Sequence, residues 1–430
     1  MDIFNIKKTA SFILLFQTLL LSNHLTAQDW MTHVMQNQQR VDLRDLGYPG
    51  VNEIPVNSSA VTSLLTAGDG IIYGCTSGEE AYLFLFDPKM NKVKHLGKIS
   101  GHSGVHHSLV EDKDGNIYIG SGKNMFEDFS LSKWGEGSDA LDVTLWKDIK
   151  RNFSDYPGGH LYRYSPAENN AKVKLATMDG ELEDLGRPLA NNSIYALTIN
   201  PHGDEIYGIT YPDGHFFIYN IATNKTTDLG AIDSQKVYHG PERQWRTLSR
   251  ALICDDSGRV FFSGTKGMLN YYDPEAENLV STNIEVPGDY YYLQFTKDYT
   301  AVEYFAKDKS GLIYGGTTDG YLFSFNPLNM ELVNLGKVRE SRRLRCLTVG
   351  QNGKVYMMAG EQSASRPCQF YMYNPQTHGF KNLGMLAVDR SPYYYWRGQQ
   401  FDCMTTGLDG TIYLGESERK SHLFLFFPSP

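Results

Sequence analysis

The sequence predicts an all-β fold, a seven-bladed β-propeller closed by an N-terminal strand that completes the last blade. Two observations predict it. One unit of four short strands recurs seven times, and the strand missing from the last copy stands near the start of the chain. The unit is whole from Gly70 to Gly97, GIIYGCTSGEEAYLFLFDPKMNKVKHLG: a glycine turn, a strand with Tyr, an aromatic strand ending in Asp-Pro, and a strand ending in Leu-Gly. Further copies begin at Gly115, Gly203, Gly258, Gly311, Gly353 and Gly410. A unit of this kind buries its two faces only against neighbouring copies, which is the logic of blades around an axis.

Each element follows from its residues. Aromatic and β-branched side chains alternate with small or polar ones, as in strands whose two faces both pack. Asp-Gly and Ser-Gly supply the positive φ of tight hairpins, and Asp-Pro or Asn-Pro ends the third strand because proline has no N–H for the ladder. The seventh copy runs to Phe427-Pro428 with three strands, and Val41 to Gly47 resembles the outer strand Val93 to Gly97. Pairing these two ends leaves no open sheet edge. Blade 2 carries a long insertion from Ser121 to Gly159 with Phe126, Phe129, Trp134, Trp146 and Phe153, expected to cover a binding site.

Residues 1–27 have two cations, Lys7 and Lys8, an apolar run from Phe12 to Leu21 and small residues before Gln28. This is the layout of a cleavable signal peptide, and the run is too short to span a bilayer. The expected domains are therefore a signal peptide over 1–27 and a propeller over 28–430, in a protein exported to a periplasm or outside the cell, with no membrane association. The five cysteines have no metal-ligand or framework spacing, and Cys254, Cys346 and Cys403 lie in apolar strand patterns as small buried hydrophobes. A net charge of −9 argues against nucleic acid as a partner, so any anion must meet a local cluster.

Such a cluster is legible. Eight residues before each hairpin glycine stand Thr62, His107, Tyr195, Arg250, Glu303, Arg345 and Asp402, all polar; one residue earlier stand Val61, His106, Ile194, Ser249, Val302, Leu344 and Phe401, mostly apolar. Strand alternation is expected to pack one register between blades and turn the other to the axis. The face holding the starts of these strands also collects His160, Tyr211, His215, His239, Arg243, Trp245, Arg246, Arg342, Arg343, Trp396, Arg397 and Gln399. Arg, His and aromatic groups gathered on one face suit an anionic ring-shaped ligand.

The chemistry such residues support is elimination. Glycosidases need two free carboxylates, and only Asp213, Glu303 and Asp402 are candidates, in a crowd of arginines. No Gly-x-Ser-x-Gly elbow is present. Arginine can neutralise a uronate carboxylate and so acidify its C5 proton, while His or Tyr move protons, with no cofactor and no metal.

The segments SGHSGVHHSLVEDKDGNIYIGSG, ITYPDGHFFIYNIATNKTTDLG and YYYWRGQQFDCMTTG resemble the propeller polysaccharide lyases that act on uronates: ulvan lyases and, more closely, L-rhamnose-α-1,4-D-glucuronate lyases of arabinogalactan degradation. They are also similar to propeller α-L-rhamnosidases. The resemblance implies a carbon–oxygen lyase, a monomer acting on an anionic plant-type glycan. It implies catalytic roles for His107, Tyr211, His215 and Arg250, with His160, His239, Arg243, Trp245, Arg246, Arg345, Trp396, Arg397 and Gln399 binding sugar. Hydrolysis of the same linkage and glycan binding without turnover are the alternatives. Val56-Asn57-Ser58-Ser59 lacks the histidine of the rhamnosidases, and Phe126-Glu127-Asp128 lacks the second histidine of ulvan lyases.

Overall fold

A computed structural model of the protein describes residues 43–45, 54–124, 151–166, 182–232, 248–264, 267–289, 300–338, 343–360, 368–391, 394–417 and 421–429, with backbone alone for 43–45, 388–391 and 394–396. The expected signal peptide, residues 1–27, lies outside the described residues. Each hairpin glycine of the repeat sits between a first and a second strand. After Ala60–Thr66, for example, Ala67 N–H donates to Ile71 O and Gly70, at φ +89°, donates to Ala67 O; the same pair of bonds recurs at Asp255 to Arg259 and Gly407 to Thr411. Only glycine enters that φ at no steric cost.

These turns build seven four-stranded antiparallel blades. From inner to outer strand they run Ala60–Thr66 to Lys92–Ile99, Leu109–Glu111 to Leu182–Asp184, Ser193–Ile199 to Lys225–Ala231, Ile253–Cys254 to Asn278–Val280, Val302–Lys307 to Glu331–Lys337, and Leu344–Val349 to Gly379–Gly384. Blade 7 comprises Phe401–Thr406, Ile412–Glu416 and Leu423–Phe426, and its outer strand is Leu43–Asp45 from the other end of the chain. Leu43 pairs with Phe426 and Asp45 with Phe424, so the closure expected from the sequence is the one observed.

Blades are seated on one another at the inner strands. Val61, Ile194, Val302, Leu344 and Phe401, the apolar register, are at most 1% exposed. Several fit where a neighbouring blade has glycine in its second strand. A Cβ on Gly316 of blade 5 would stand 2.5 Å from Leu344 of blade 6, and one on Gly415 of blade 7 would stand 2.5 Å from Val61 of blade 1. The second contact closes the ring.

The polar register reaches the axis by a different route from strand alternation. Between Val61 and Ser63 the pairing with the second strand shifts by one residue, leaving Thr62 out of the ladder. The same shift leaves out Tyr195, Glu303, Arg345 and Asp402. Each is a β-bulge, which inserts one residue and re-aims its side chain. His107 and Arg250 precede the shortened inner strands of blades 2 and 4.

One face, here the upper, carries the starts of the inner strands and the described parts of the connections that precede them, among them 151–160 in blade 2, 248–252 between blades 3 and 4, and 385–391 with 394–400 between blades 6 and 7. The last folds an additional hairpin, Ala387–Ser391 with Tyr394–Arg397. Arg151 to Ser154 form a helical turn at the end of the blade 2 insertion.

Gly415→Ala should lower stability by about 1–3 kcal/mol through overpacking at the closing seam. Gly379→Ala meets nothing nearer than 3.4 Å and should stay within about 0.5 kcal/mol of the parent. Urea-unfolding midpoints of the two variants check this.

Candidate functional site

The bulges bring charge to the axis. Glu303, 1% exposed, accepts from Arg250 Nη1 at 3.1 Å and from Arg343 Nε and Nη2 at 2.7 and 3.1 Å. Burial alone would raise its pKa, but Arg250 and Arg343 prevail and hold it at about 2. Asp402 is likewise buried against its ionisation, and Arg345, then Arg343, Ser417 and Gln400, hold it well below the usual carboxylate range. Arg345 Nη1 bonds Asp402 Oδ1, its Nε donates to Gly360 O at 3.0 Å, and Gln400 donates to Asp402 Oδ2 at 2.7 Å. Among the described residues of the ring, three guanidinia meet two carboxylates, an excess of one positive charge.

Arg345, expected to bind sugar, therefore has another position: its side chain is 1% exposed, in an ion pair beneath the surface. The Arg250 and Arg343 side chains, by contrast, are 24% and 19% exposed.

His107 ties the ring together. Its φ is +35°, and the bulge-level strand pairing is absent around it. Nδ1 lies 2.7 Å from Arg250 O of blade 4 and Nε2 lies 2.8 Å from Asp402 O of blade 7. Carbonyl oxygens only accept, so the imidazole is the donor at either contact. Tyr304 of blade 5 meets the imidazole edge-on, centroids 4.9 Å apart. Both ring nitrogens are thus within hydrogen-bond distance of backbone carbonyls of two other blades. His107 acts as a cross-brace between blades.

Beside it stand two groups suited to proton transfer. His106, 5% exposed, is pushed down to about 3 by burial, with His107 adding to the effect, and is neutral at neutral pH. Tyr195 packs against His106 and Tyr211, centroids 6.3 and 5.3 Å away, and its hydroxyl makes no hydrogen bond among the described residues. Burial pushes the Tyr195 phenol up against the pull of Arg250, so it keeps its proton. Tyr211 is 3% exposed, between Tyr195 and Phe153, one strand further from the axis.

His160 and His215 belong to a repeated lock between third and outer strands. His160 Nδ1 lies 2.9 Å from Asp184, and His215 Nδ1 lies 2.9 Å from Asp228. The same carboxylates accept Gly186 and Gly230 N–H at 2.8 Å. In blade 6 Gln369 and Asn382 occupy these places, with Asn382 capping Gly384. The position holds the outer strand in register with whichever partner the blade supplies, and it lies two strands out from the axis.

His239, Arg243, Trp245, Arg246 and Arg342 lie outside the described residues. Trp396 lies in the additional hairpin, described by its backbone alone; Arg397 ends that hairpin exposed. Gln399 is half-buried and its carbonyl accepts Cys368 N–H. All five cysteines are free and buried.

The segment Arg151 to Tyr156 docks beside this group. Asn191 Nδ2 donates to the carbonyls of Phe153, Ser154 and Tyr156, and Lys123 Nζ donates to Asn152 O at 2.7 Å. Tyr156 hydroxyl lies 2.8 Å from His102 Nδ1. Sequence spacing did not single out this pair, since its members belong to two loops far apart in the chain; 125–150 of the insertion lie outside the described residues.

A bulged ring of polar residues at the axis defines a β-propeller with the side chains of Arg250 and Arg343 partly exposed at its mouth. No family model and no curated protein matches the chain. Among solved structures it is similar to a streptogramin B lyase, at 10% identity over 90% of this chain and 97% of that one, TM-score 0.59. It is also similar to a catalytically inactive histidine-to-alanine virginiamycin B lyase from Staphylococcus aureus with quinupristin, at 9% identity over 90% and 99%, TM-score 0.56. An extracellular domain of a one component system from B. thetaiotaomicron matches at 13% identity over 89% of this chain and 39% of that one, TM-score 0.53. These likenesses concern the fold. Among the described residues no helix is long and apolar enough to cross a membrane.

The Glu303 pKa lies below its unfolded value of 4.5, so the ionised carboxylate stabilises the fold above that pH and the contribution is lost as pH falls through about 2. Glu303→Gln leaves two guanidinia without their counter-charge and should cost about 3–5 kcal/mol at pH 7. Its melting temperature should fall less than the parent's between pH 5 and 2, as thermal melts across pH would show.

Proposed function

We propose that the axial mouth is the active site of a lyase that cleaves a uronate glycosidic bond by β-elimination, with L-rhamnose-α-1,4-D-glucuronate ends of arabinogalactan-type glycans as substrate. One observation carries this reading. Arg250 and Arg343 are partly exposed, share the single carboxylate of Glu303, and act electrostatically on Tyr195, whose hydroxyl makes no hydrogen bond among the described residues. The uncompensated positive charge attracts the uronate carboxylate, and pairing with it makes the C5 proton acidic.

His106, neutral in its pocket, takes the C5 proton. The electron pair forms the C4=C5 double bond, the C4–O bond breaks, and Tyr195 gives its proton to the departing rhamnosyl oxygen. The products are free rhamnose and a 4,5-unsaturated glucuronate. The proton on His106 returns to Tyr195 through solvent, so no cofactor is needed. Two-carboxylate hydrolysis draws no support from Glu303 and Asp402, both of which are engaged by arginine. In this reading Arg250 keeps the role the sequence suggested, and His106 with Tyr195 replaces His107 and Tyr211. Export and a monomeric state belong to the same proposal: the substrate is a plant-type glycan met outside the cytoplasm.

The test is incubation with gum arabic while unsaturated-uronate absorbance and free rhamnose are followed together; both should rise. Tyr195→Phe should lower kcat by about 10²–10⁴ and Arg250→Ala should lower kcat/KM by about 10²–10³, with melting curves showing both variants folded. Rhamnose without absorbance would establish hydrolysis instead. Binding with no product from the parent protein would establish a glycan-binding propeller.

A further inference from the structure

A second concave site lies on the upper face between blades 1 and 2. It is an open cleft of about 210 Å³ whose lining includes Glu79, Glu80, His102, Ser103, Lys123 and Tyr156. Its lining brings donor and acceptor groups together. Burial, reinforced by His160, pushes His102 down to about 4, and burial pushes the Tyr156 phenol up, so at neutral pH His102 is neutral and Tyr156 keeps its proton. The phenol therefore donates to Nδ1, 2.8 Å away, which fixes the imidazole proton on Nε2 and makes His102 a donor. Lys123 uses one of its three protons on Asn152 O, stands over the Phe153 ring, and has no further hydrogen-bond acceptor among the described residues. Facing these, Glu79 is exposed with no hydrogen bond to its carboxylate among the described residues, and Glu80 is held by Lys98 and by Tyr82 hydroxyl.

The geometry points to this cleft as a subsite for one uncharged pyranose, the sugar next to the uronate in the glycan. Carboxylates that accept from neighbouring hydroxyls, an ammonium and a fixed N–H that donate to ring and exocyclic oxygens, and an aromatic wall are what a hydroxyl-rich ring requires. A second uronate would be repelled by Glu79 and Glu80, whereas the axial mouth attracts one. Lys123 borders both places: its ammonium lines the cleft, and its carbonyl lies 3.4 Å from His106 Nε2. Adjacent sugars of one chain can then lie in the two sites, which is the sense in which the subsite rests on the proposed reaction.

The experiment is direct binding of L-rhamnose, D-galactose and L-arabinose, each alone, to the full protein by saturation-transfer NMR. The protein is tested as the parent and as His102→Ala and Tyr156→Phe. One of the sugars should bind saturably, and both variants should weaken it about tenfold. Tyr156→Phe keeps the packed ring, so its loss of affinity cannot be laid to unfolding. No saturable binding up to about 0.1 M, or equal binding by parent and variants, overturns the subsite. Turnover is not read here. A protein that binds the neutral sugar through His102 yet cleaves nothing removes the lyase reading alone.

Discussion

The centre of this protein depends on how seven inner strands converge without filling the axis with apolar side chains. Five of the seven inner strands meet that constraint with two consecutive residues. The first is seated into the preceding blade, as Val61 is on Gly415 and Leu344 on Gly316. The second is thrown out of the ladder by a bulge and delivered to the axis. The glycine seat anchors the strand laterally, which lets the bulged residue be polar at no cost to packing. Polar groups crowded together at low dielectric must then satisfy one another, and the Arg250–Glu303–Arg343 and Arg345–Asp402–Gln400 groups do so.

Satisfaction is uneven, and the unevenness gives the mouth its character. Asp402 is bound by Arg345, Gln400 and Ser417 and lies sealed beneath the surface. Glu303 is bound by two arginines that both reach solvent. The first group is a closed structural pair; the second leaves two guanidinium groups partly exposed. Burial decides which arginine can meet a ligand, and residue type does not.

That distinction explains what was legible in the sequence. The blade count, the shared last blade and the register of the ring all follow from spacing, because hairpin glycines and strand periods are local. The side-chain partners are not local. His107 stands in the ring register as the sequence reading placed it, but its two acceptors come from blades 4 and 7. His160 and His215 look like site residues until the repeated Asp184, Asp228 and Asn382 caps reveal a strand lock. Arg343 sits one residue before the inner strand of blade 6 with φ +66°, and only the fold shows that it, rather than Arg345, faces the mouth. His102 and Tyr156 meet because the end of the blade 2 insertion docks on Asn191.

The departures from the repeat are also where the site lies. Blades 2 and 4 have the shortest inner strands, Leu109–Glu111 and Ile253–Cys254, because the residues that would extend them turn away from the ladder. Their ring residues are the ones that touch across the axis, His107 Nδ1 on Arg250 O. A carbonyl freed from strand pairing needs another donor, and a histidine at positive φ can supply one only where its own strand is unpaired. The two irregularities are therefore a single device: each blade loses local ladder bonds, the lost bonds are replaced by one bond across the channel, and the Arg250 side chain is left free to turn towards Glu303 and the mouth. In the regular bulged blade 6 the ring arginine, Arg345, is sealed. The broken blade 4 keeps its own, Arg250, at the surface, where Arg343 meets it on Glu303.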